Sequence, residues 1–332
     1  MSPTPFSPNA ALRPDLATLR AAREAIAGTI RPTPLDPSPD LSARLGQPIL
    51  LKKEHHQITG SFKLRGAANA VAGLSSRDRA KGVVAVSTGN HGRALAHAAK
   101  AAGVRCVICM SDLVPANKIE AIQALGAETR IIGKSQDEAR IEVDRLVEEG
   151  MTMIPPFDHP AIIAGQGTLG LEVLDQAPEV ETILVPVSGG GLIAGVARAV
   201  KAPRSRIRVV GISMERGAAM VESQRAGRPV QVEEVASLAD SLGGGIGLDN
   251  RFTFPLIRDL VDDLITVSEA EIAEGMRHAY WRDRQVVEGA AAVGLAALIA
   301  GKVTVTGPTA VILSGGNVDM AQHFRVMGGG EA

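Results

Sequence analysis

The chain predicts an α/β protein built on parallel sheets. Short runs rich in Val and Ile alternate with Ala-rich stretches of helical length across most of its 332 residues. Such alternation sets strands side by side with right-handed helical crossovers. Hydrophobic residues make up 45% of the chain and aromatic residues only 2%. The core is therefore Val, Ile, Leu and Ala, which suits strands buried on both faces beneath Ala-rich helices.

The elements follow in order. A first helix is expected at 16–27, then a Pro-rich extended linker at 31–39. Strands at 83–86, 106–110 and 130–132 alternate with helices at 91–102, 117–125 and 136–149, which is a compact βαβαβα lobe. Residues 151–160 read as a crossing between lobes. The alternation resumes with strands at 182–187, 206–212, 264–267 and 310–313, and with helices at 191–200, from 269, and through 288–299. The expected organisation is a large domain of 1–81 with 158–332 and a small α/β domain of 82–157, ending in a frayed tail at 328–330. Ligands of such sheets sit beyond the carboxyl ends of strands, where Gly-rich turns feed helix N-termini.

Several function classes are excluded. The 35 basic and 36 acidic residues leave a formal net charge of −1, so there is no basic footprint for nucleic acid and no polybasic membrane patch. No apolar run reaches the ~18 residues of a membrane span. Residues 1–5 lack the charged and apolar regions of a signal peptide. The expectation is a cytoplasmic protein. Cys106 and Cys109 form a C-x-x-C within a run, 104–110, that reads as a buried strand. With no second pair and no turn between them, they are core residues.

Four segments carry candidate chemistry. Lys63 stands in Gly60-Ser61-Phe62-Lys63-Leu64-Arg65, with apolar neighbours and a nearby cation in Arg65. Those surroundings favour the neutral amine that a nucleophilic lysine needs; the alternative is a solvated lysine at a helix start. Ser188-Gly189-Gly190-Gly191-Leu192 lies between a strand and a helix. There the backbone can approach an anion and the helix supplies unpaired N–H groups; the alternative is a tight turn. Ser87-Thr88-Gly89-Asn90-His91-Gly92 could receive a carboxylate or simply cap a helix. His91 could be a base or structural. In Ser314-Gly315-Gly316-Asn317, Ser314 could bond a ring nitrogen. Glu288 opens an Ala-rich helix as a site acid or an N-terminal charge. His55 and His56 have no partner at metal spacing and are placed at the rim.

Read together, the lysine and the glycine run suit the two ends of a bound pyridoxal phosphate, one taking the aldehyde and the other the phosphate. These segments, in this order, resemble the fold-type II pyridoxal-phosphate enzymes of the threonine dehydratase and serine racemase group. The resemblance runs from Arg31-Pro32-Thr33-Pro34-Leu35 through Glu54, Gln57 and Thr59 to Asn317. It implies a tryptophan synthase β-like body of two lobes with the cofactor between them. It implies that Lys63 binds the cofactor aldehyde and later serves as the base at the substrate Cα. Phe62 packs on the cofactor ring, Asn90 bonds its phenolic oxygen, and Ser314 faces its pyridine nitrogen. Gly189, Gly190, Gly191 and Leu192 hold the phosphate, and Ser87, Thr88, Asn90 and His91 surround the substrate carboxylate. A homodimer acting on a small amino acid is implied as well.

Two departures shape the expected activity. Thr88 stands where serine racemase carries a second acid/base serine, and its stiffer χ1 speaks against racemisation. The divalent metal common in the group follows a Gly-x-Glu motif, but here Ser213 and Ala219 replace the expected acids and Glu215 is out of register; no metal is expected. The segments 211–219 and 233–250 are similar to the threonine dehydratase-like enzymes of hydroxyectoine utilisation. The expected reaction is therefore β-elimination of water, with loss of ammonia, from a β-hydroxy-α-amino acid of that catabolism. The alternatives are a general L-threonine/L-serine dehydratase, an amino-acid racemase, or a noncatalytic cofactor or amino-acid binder. Little chain follows Ser314, so no regulatory domain is expected there.

Overall fold

The computed structural model describes residues 13–87, 89–114 and 116–329. Its strands are β1 (Leu35–Pro37), β2 (Ile49–Lys53), β3 (Val83–Val86), β4 (Cys106–Met110), β5 (Glu128–Ile131), β6 (Thr152–Met153), β7 (Thr182–Pro186), β8 (Arg208–Met214), β9 (Asp263–Val267) and β10 (Thr309–Leu313). They form a six-stranded sheet, ordered β1-β2-β10-β7-β8-β9, and a four-stranded sheet, ordered β5-β4-β3-β6. Every ladder is parallel except β1 with β2. The α/β class and the parallel sheets expected from the alternation are present.

The helices are α1 (Leu16–Ile26), α2 (Pro39–Leu45), α3 (Lys63–Ala72), α4 (Ser76–Lys81), α5 (Asn90–Ala101), α6 (Ala116–Ala124), α7 (Gln136–Glu148), α8 (Pro160–Gln176), α9 (Gly191–Lys201), α10 (Ala219–Ala226), α11 (Thr253–Leu260), α12 (Glu269–Trp281), α13 (Gly289–Ile299) and α14 (Met320–Met327). They cover both faces of each sheet. On β10, Ala310 and Ile312 join the core under α1, α8, α9 and α11, whereas Val311 and Leu313 join the core under α12 and α13. That alternation is the two-residue repeat of a strand buried on both sides.

Several elements were not expected from the sequence, among them β1, β2, β6, α2, α4, α8, α10, α11 and α14. The middle of the Pro-rich linker is β1, an antiparallel edge strand that tolerates Pro37 because its outer side needs no donor. Strand β2 ends in two lysines, which hid it from a search for apolar runs; Lys52 is nonetheless buried because it meets Glu172. Helix α8 carries glycines that lower helix propensity. They are required by close packing: a Cβ on Gly165 would lie 2.4 Å from the Arg65 carbonyl oxygen.

Cys106 packs in the core on one face of the small sheet and Cys109 on the other. They are free and buried, and burial pushes their thiols up to about 12 and about 11. Three residues apart on one strand, they point in opposite directions and share neither a disulfide nor a metal. The core over one face of the small sheet also takes in Leu64, Ala67 and Val71 of α3 and Ile162 of α8. Helix α3 thus joins the two sheets, and Lys63 is its first residue.

Candidate active site

The carboxyl ends of β3, β7 and β10 carry the segments singled out above. Beyond β10, the loop is stitched to the turn before α3. Phe62 N–H donates to the Ser314 carbonyl at 3.0 Å, Gly316 N–H donates to the Gly60 carbonyl at 2.9 Å, and Ser61 bridges Gly315. Gly60 has φ of +75° and no room for a side chain, since a Cβ would lie 2.6 Å from Asn317 Oδ1. The bridge places Ser314, itself buried, beside Phe62 and Lys63.

Lys63 Nζ donates to the Pro156 carbonyl at 3.0 Å and lies 5.3 Å from the Phe62 ring centre. Burial lowers its pKa to about 8, opposed by the Glu288 carboxylate. The sequence reading offered Arg65 as the neighbouring cation, and the structure corrects this. Arg65 is fully buried between Glu54 and Glu172, with contacts of 2.6 to 2.9 Å to both carboxylates. Neutralised there, it anchors α3 to β2 and α8, and it is the apolar setting that depresses the amine.

Beyond β7, Gly190 takes φ of +89° as the residue preceding α9. The N–H groups of the first turn of α9 have no intrahelical partner, and Leu192 is buried beside them. Phe157 lies against this run: a Cβ on Gly189 would sit 2.2 Å from its ring. Asp158, which follows, accepts hydrogen bonds from the backbone N–H groups of Arg251, Phe252 and Thr253 at 2.7 to 2.9 Å. The crossing between lobes is thereby pinned to the start of α11. One short segment touches both the lysine amine and the glycine run.

Beyond β3, Ser87 Oγ accepts from Gly92 N–H at 2.9 Å and closes the turn into α5. Thr88 lies outside the described residues. His91 Nε2 faces the Ile154 carbonyl at 2.9 Å, an acceptor, so this nitrogen carries the proton. Burial and the Lys63 charge push the ring down to about 4, and it is neutral. Asn90 Nδ2 donates to both Glu288 carboxylate oxygens, at 2.9 and 3.1 Å, and Asn317 Nδ2 donates to Asn90 Oδ1 at 2.6 Å. Burial raises Glu288 to about 7, against the pull of the Asn90 hydrogen bond.

Glu288 makes no capping bond to α13; its carboxylate turns into the site. Asn317 stands in a named motif and Asp158 in the expected crossing, but the sequence reading gave neither a role, since their partners are distant along the chain. His55 is part-buried with Nε2 on Gln285 Oε1 at 2.9 Å, and His56 is exposed beside it. Among the described residues no group of three or more His, Cys, Asp or Glu side chains could hold a metal.

The residues present fit pyridoxal phosphate. A buried amine of lowered pKa suits imine formation with the aldehyde. A glycine run at the start of α9, whose first-turn N–H groups have no intrahelical partner, suits the phosphate. Ser61 Oγ is buried beside Phe62 and Lys63 with no protein partner. Lys63 would hold the aldehyde carbon, and 189–192 the phosphate.

Comparison with known proteins agrees with the geometry. The model of the family described as "Pyridoxal-phosphate dependent enzyme" matches residues 26–315. A Sinorhizobium fredii protein named "Putative threonine dehydratase" is 58% identical over 316 residues, 95% of each chain. An L-threonine ammonia-lyase of Thermotoga maritima is 39% identical over 95% of this chain and 78% of its own length. The structure of maize serine racemase superposes with a TM-score of 0.90 at 35% identity, covering 96% of this chain and 98% of that one. The chain belongs to the fold-type II pyridoxal-phosphate-dependent enzymes, and within them it is a threonine dehydratase-like ammonia-lyase.

Proposed function

We propose that the protein removes water and then ammonia from a β-hydroxy-α-amino acid, leaving a 2-keto acid. The observation that carries this reading is the part-buried Lys63 amine, lowered to about 8, which bonds the Pro156 carbonyl next to the residue packed on the glycine run and feels the Glu288 carboxylate held by Asn90. Bound there, the cofactor supplies an electron sink for charge developing at the substrate Cα.

The chain's own residues do the rest. Backbone N–H groups of Gly189, Gly190, Gly191 and Leu192 hold the phosphate at the positive end of α9. Ser314, buried beside Phe62, would offer the pyridine nitrogen a hydroxyl rather than a carboxylate. Lys63, released when the substrate amine takes its place, accepts the Cα proton; a base working near neutral pH needs a pKa close to that pH. Ser87, Asn90 and His91 would surround the substrate carboxylate, and the family resemblance assigns Thr88 to the same role. His91 serves through position rather than proton transfer, because its ring stays neutral with Nε2 engaged.

The substrate assignment is narrower. The similarity of 211–219 and 233–250 to hydroxyectoine-utilisation enzymes favours a ring-opened hydroxyectoine. The closed ring has no free primary amine to displace Lys63, whereas the opened acetamido form is a β-hydroxy-α-amino acid. The reading includes a small domain of 82–157, from the alternation of strands and helices, a cytoplasmic setting, from the sequence pattern at 1–5 and the lack of long apolar runs, and a homodimer, from the family resemblance.

The test is release of keto acid and ammonia by cofactor-loaded protein from L-threonine, L-serine, β-hydroxyaspartate and ring-opened hydroxyectoine, compared by kcat/KM. Preference for the opened ring supports the narrow assignment. Preference for threonine or serine removes it and leaves a general dehydratase, and D-amino acid as the main product removes elimination as the principal reaction.

A further inference from the structure

We propose that Glu288 is a positioning residue: with Asn317, it fixes the Asn90 amide so that one N–H faces the cofactor. This rests on the reading of Asn90 as a cofactor contact.

The sense of the network is set at its ends. Asn317 Nδ2 donates to the Thr59 carbonyl at 2.9 Å, and Arg93 Nη1 donates to Asn317 Oδ1 at 3.3 Å. A carbonyl only accepts and a guanidinium only donates. The Asn317 amide therefore cannot turn over without losing both contacts. Its Nδ2 also donates to Asn90 Oδ1 at 2.6 Å, which sends the Asn90 NH2 to the opposite side. There the Glu288 carboxylate accepts at 2.9 and 3.1 Å. Each link selects the same orientation.

The two nearly equal distances place one N–H between the carboxylate oxygens. The second N–H of a planar amide diverges from the first and stays free for an acceptor in the cleft. Both partners are buried, Asn90 at 9% and Glu288 at 5% exposure, so the charge-assisted bond is little weakened by water. Glu288 is itself held in place. Its backbone N–H donates to the Gly315 carbonyl at 3.1 Å, and a Cβ on Gly315 would come within 2.8 Å of Oε1. A residue serving α13 alone would cap that helix, and Glu288 makes no such bond.

The experiment is a double-mutant cycle on the dissociation constant of pyridoxal phosphate, titrated into apoprotein and followed by fluorescence. Glu288→Gln, with one acceptor oxygen in place of two, is expected to weaken binding about tenfold. Measured well above the Lys63 pKa of about 8, where that amine is neutral with or without Glu288, the same change in an Asn90→Ala background is expected to matter less than about twofold, because coupled residues are non-additive. An equal loss in both backgrounds, or none in either, overturns the proposal. Asn90→Ala alone tests the underlying reading: an unchanged dissociation constant would remove Asn90 from the cofactor, and the proposal with it. Should Glu288→Gln fail to fold, Asn317→Ala enters the same cycle with the same expectation, and the far-ultraviolet dichroism of each apoprotein separates misfolding from lost positioning.

Discussion

Lys63 Nζ donates to the carbonyl of Pro156 over 3.0 Å, and the ring of the next residue, Phe157, covers Gly189. The acceptor for the amine and the side chain packed on the glycine run are thus consecutive residues of one crossing. Movement of that crossing shifts both ends of the cofactor site together.

Replacing Lys63 with Ala removes the amine proposed to take the cofactor aldehyde. The visible absorption of bound cofactor and the release of ammonia are both expected to fall to background. Persistence of the absorption would mean that another amine carries the aldehyde.

Attachment of cofactor to apoprotein is expected to speed up with rising pH and level off above about 8. Only the neutral amine attacks a carbonyl, and burial lowers Lys63 to about that value. The Glu288 carboxylate favours the ammonium form. Glu288→Gln removes that influence, so the inflection is expected to move to lower pH. Stopped-flow absorbance across pH 6 to 10 reads both outcomes, and a shift upward would contradict the electrostatic relation.

Gly189→Ala inserts a methyl group 2.2 Å from the Phe157 ring. Overpacking of this kind costs about 1–3 kcal/mol. Urea denaturation is expected to show a loss in that range together with weaker cofactor binding. Adding Phe157→Ala makes room and is expected to recover part of the stability.

Arg65→Met leaves the buried Glu54 without its guanidinium partner, while Glu172 keeps only Lys52. Breaking a buried ion pair on one side costs about 3–5 kcal/mol. Equilibrium unfolding should register most of that loss. Arg65→Lys is expected to fall short of wild type as well, because an ammonium cannot present a fork to two carboxylates.

Much of the site is legible in the chain because its signals are local. A strand followed by glycines and an Ala-rich helix identifies 182–200 as a phosphate-type turn wherever it lies in the fold. Lys63 stands out because a Gly/Ser turn and flanking apolar residues accompany it within six positions. The order of the motifs ties them to one family, and the matched relatives agree.

The polar partnerships were not legible. Arg65 reads locally as a cation beside the lysine, yet it belongs to Glu172, 107 positions away. Asn90 meets Glu288 and Asn317 across 198 and 227 positions. Such pairs arise because parallel strands joined by long crossovers bring their carboxyl ends to one cleft. Periodicity and composition determined most of the sheet strands and the helices between them, and the motif around Lys63 marked it as a candidate, since those depend on neighbours in the chain. The tertiary structure decided which buried charge meets which, because only the packed sheets bring those groups within hydrogen-bond distance and exclude the water that would otherwise solvate them.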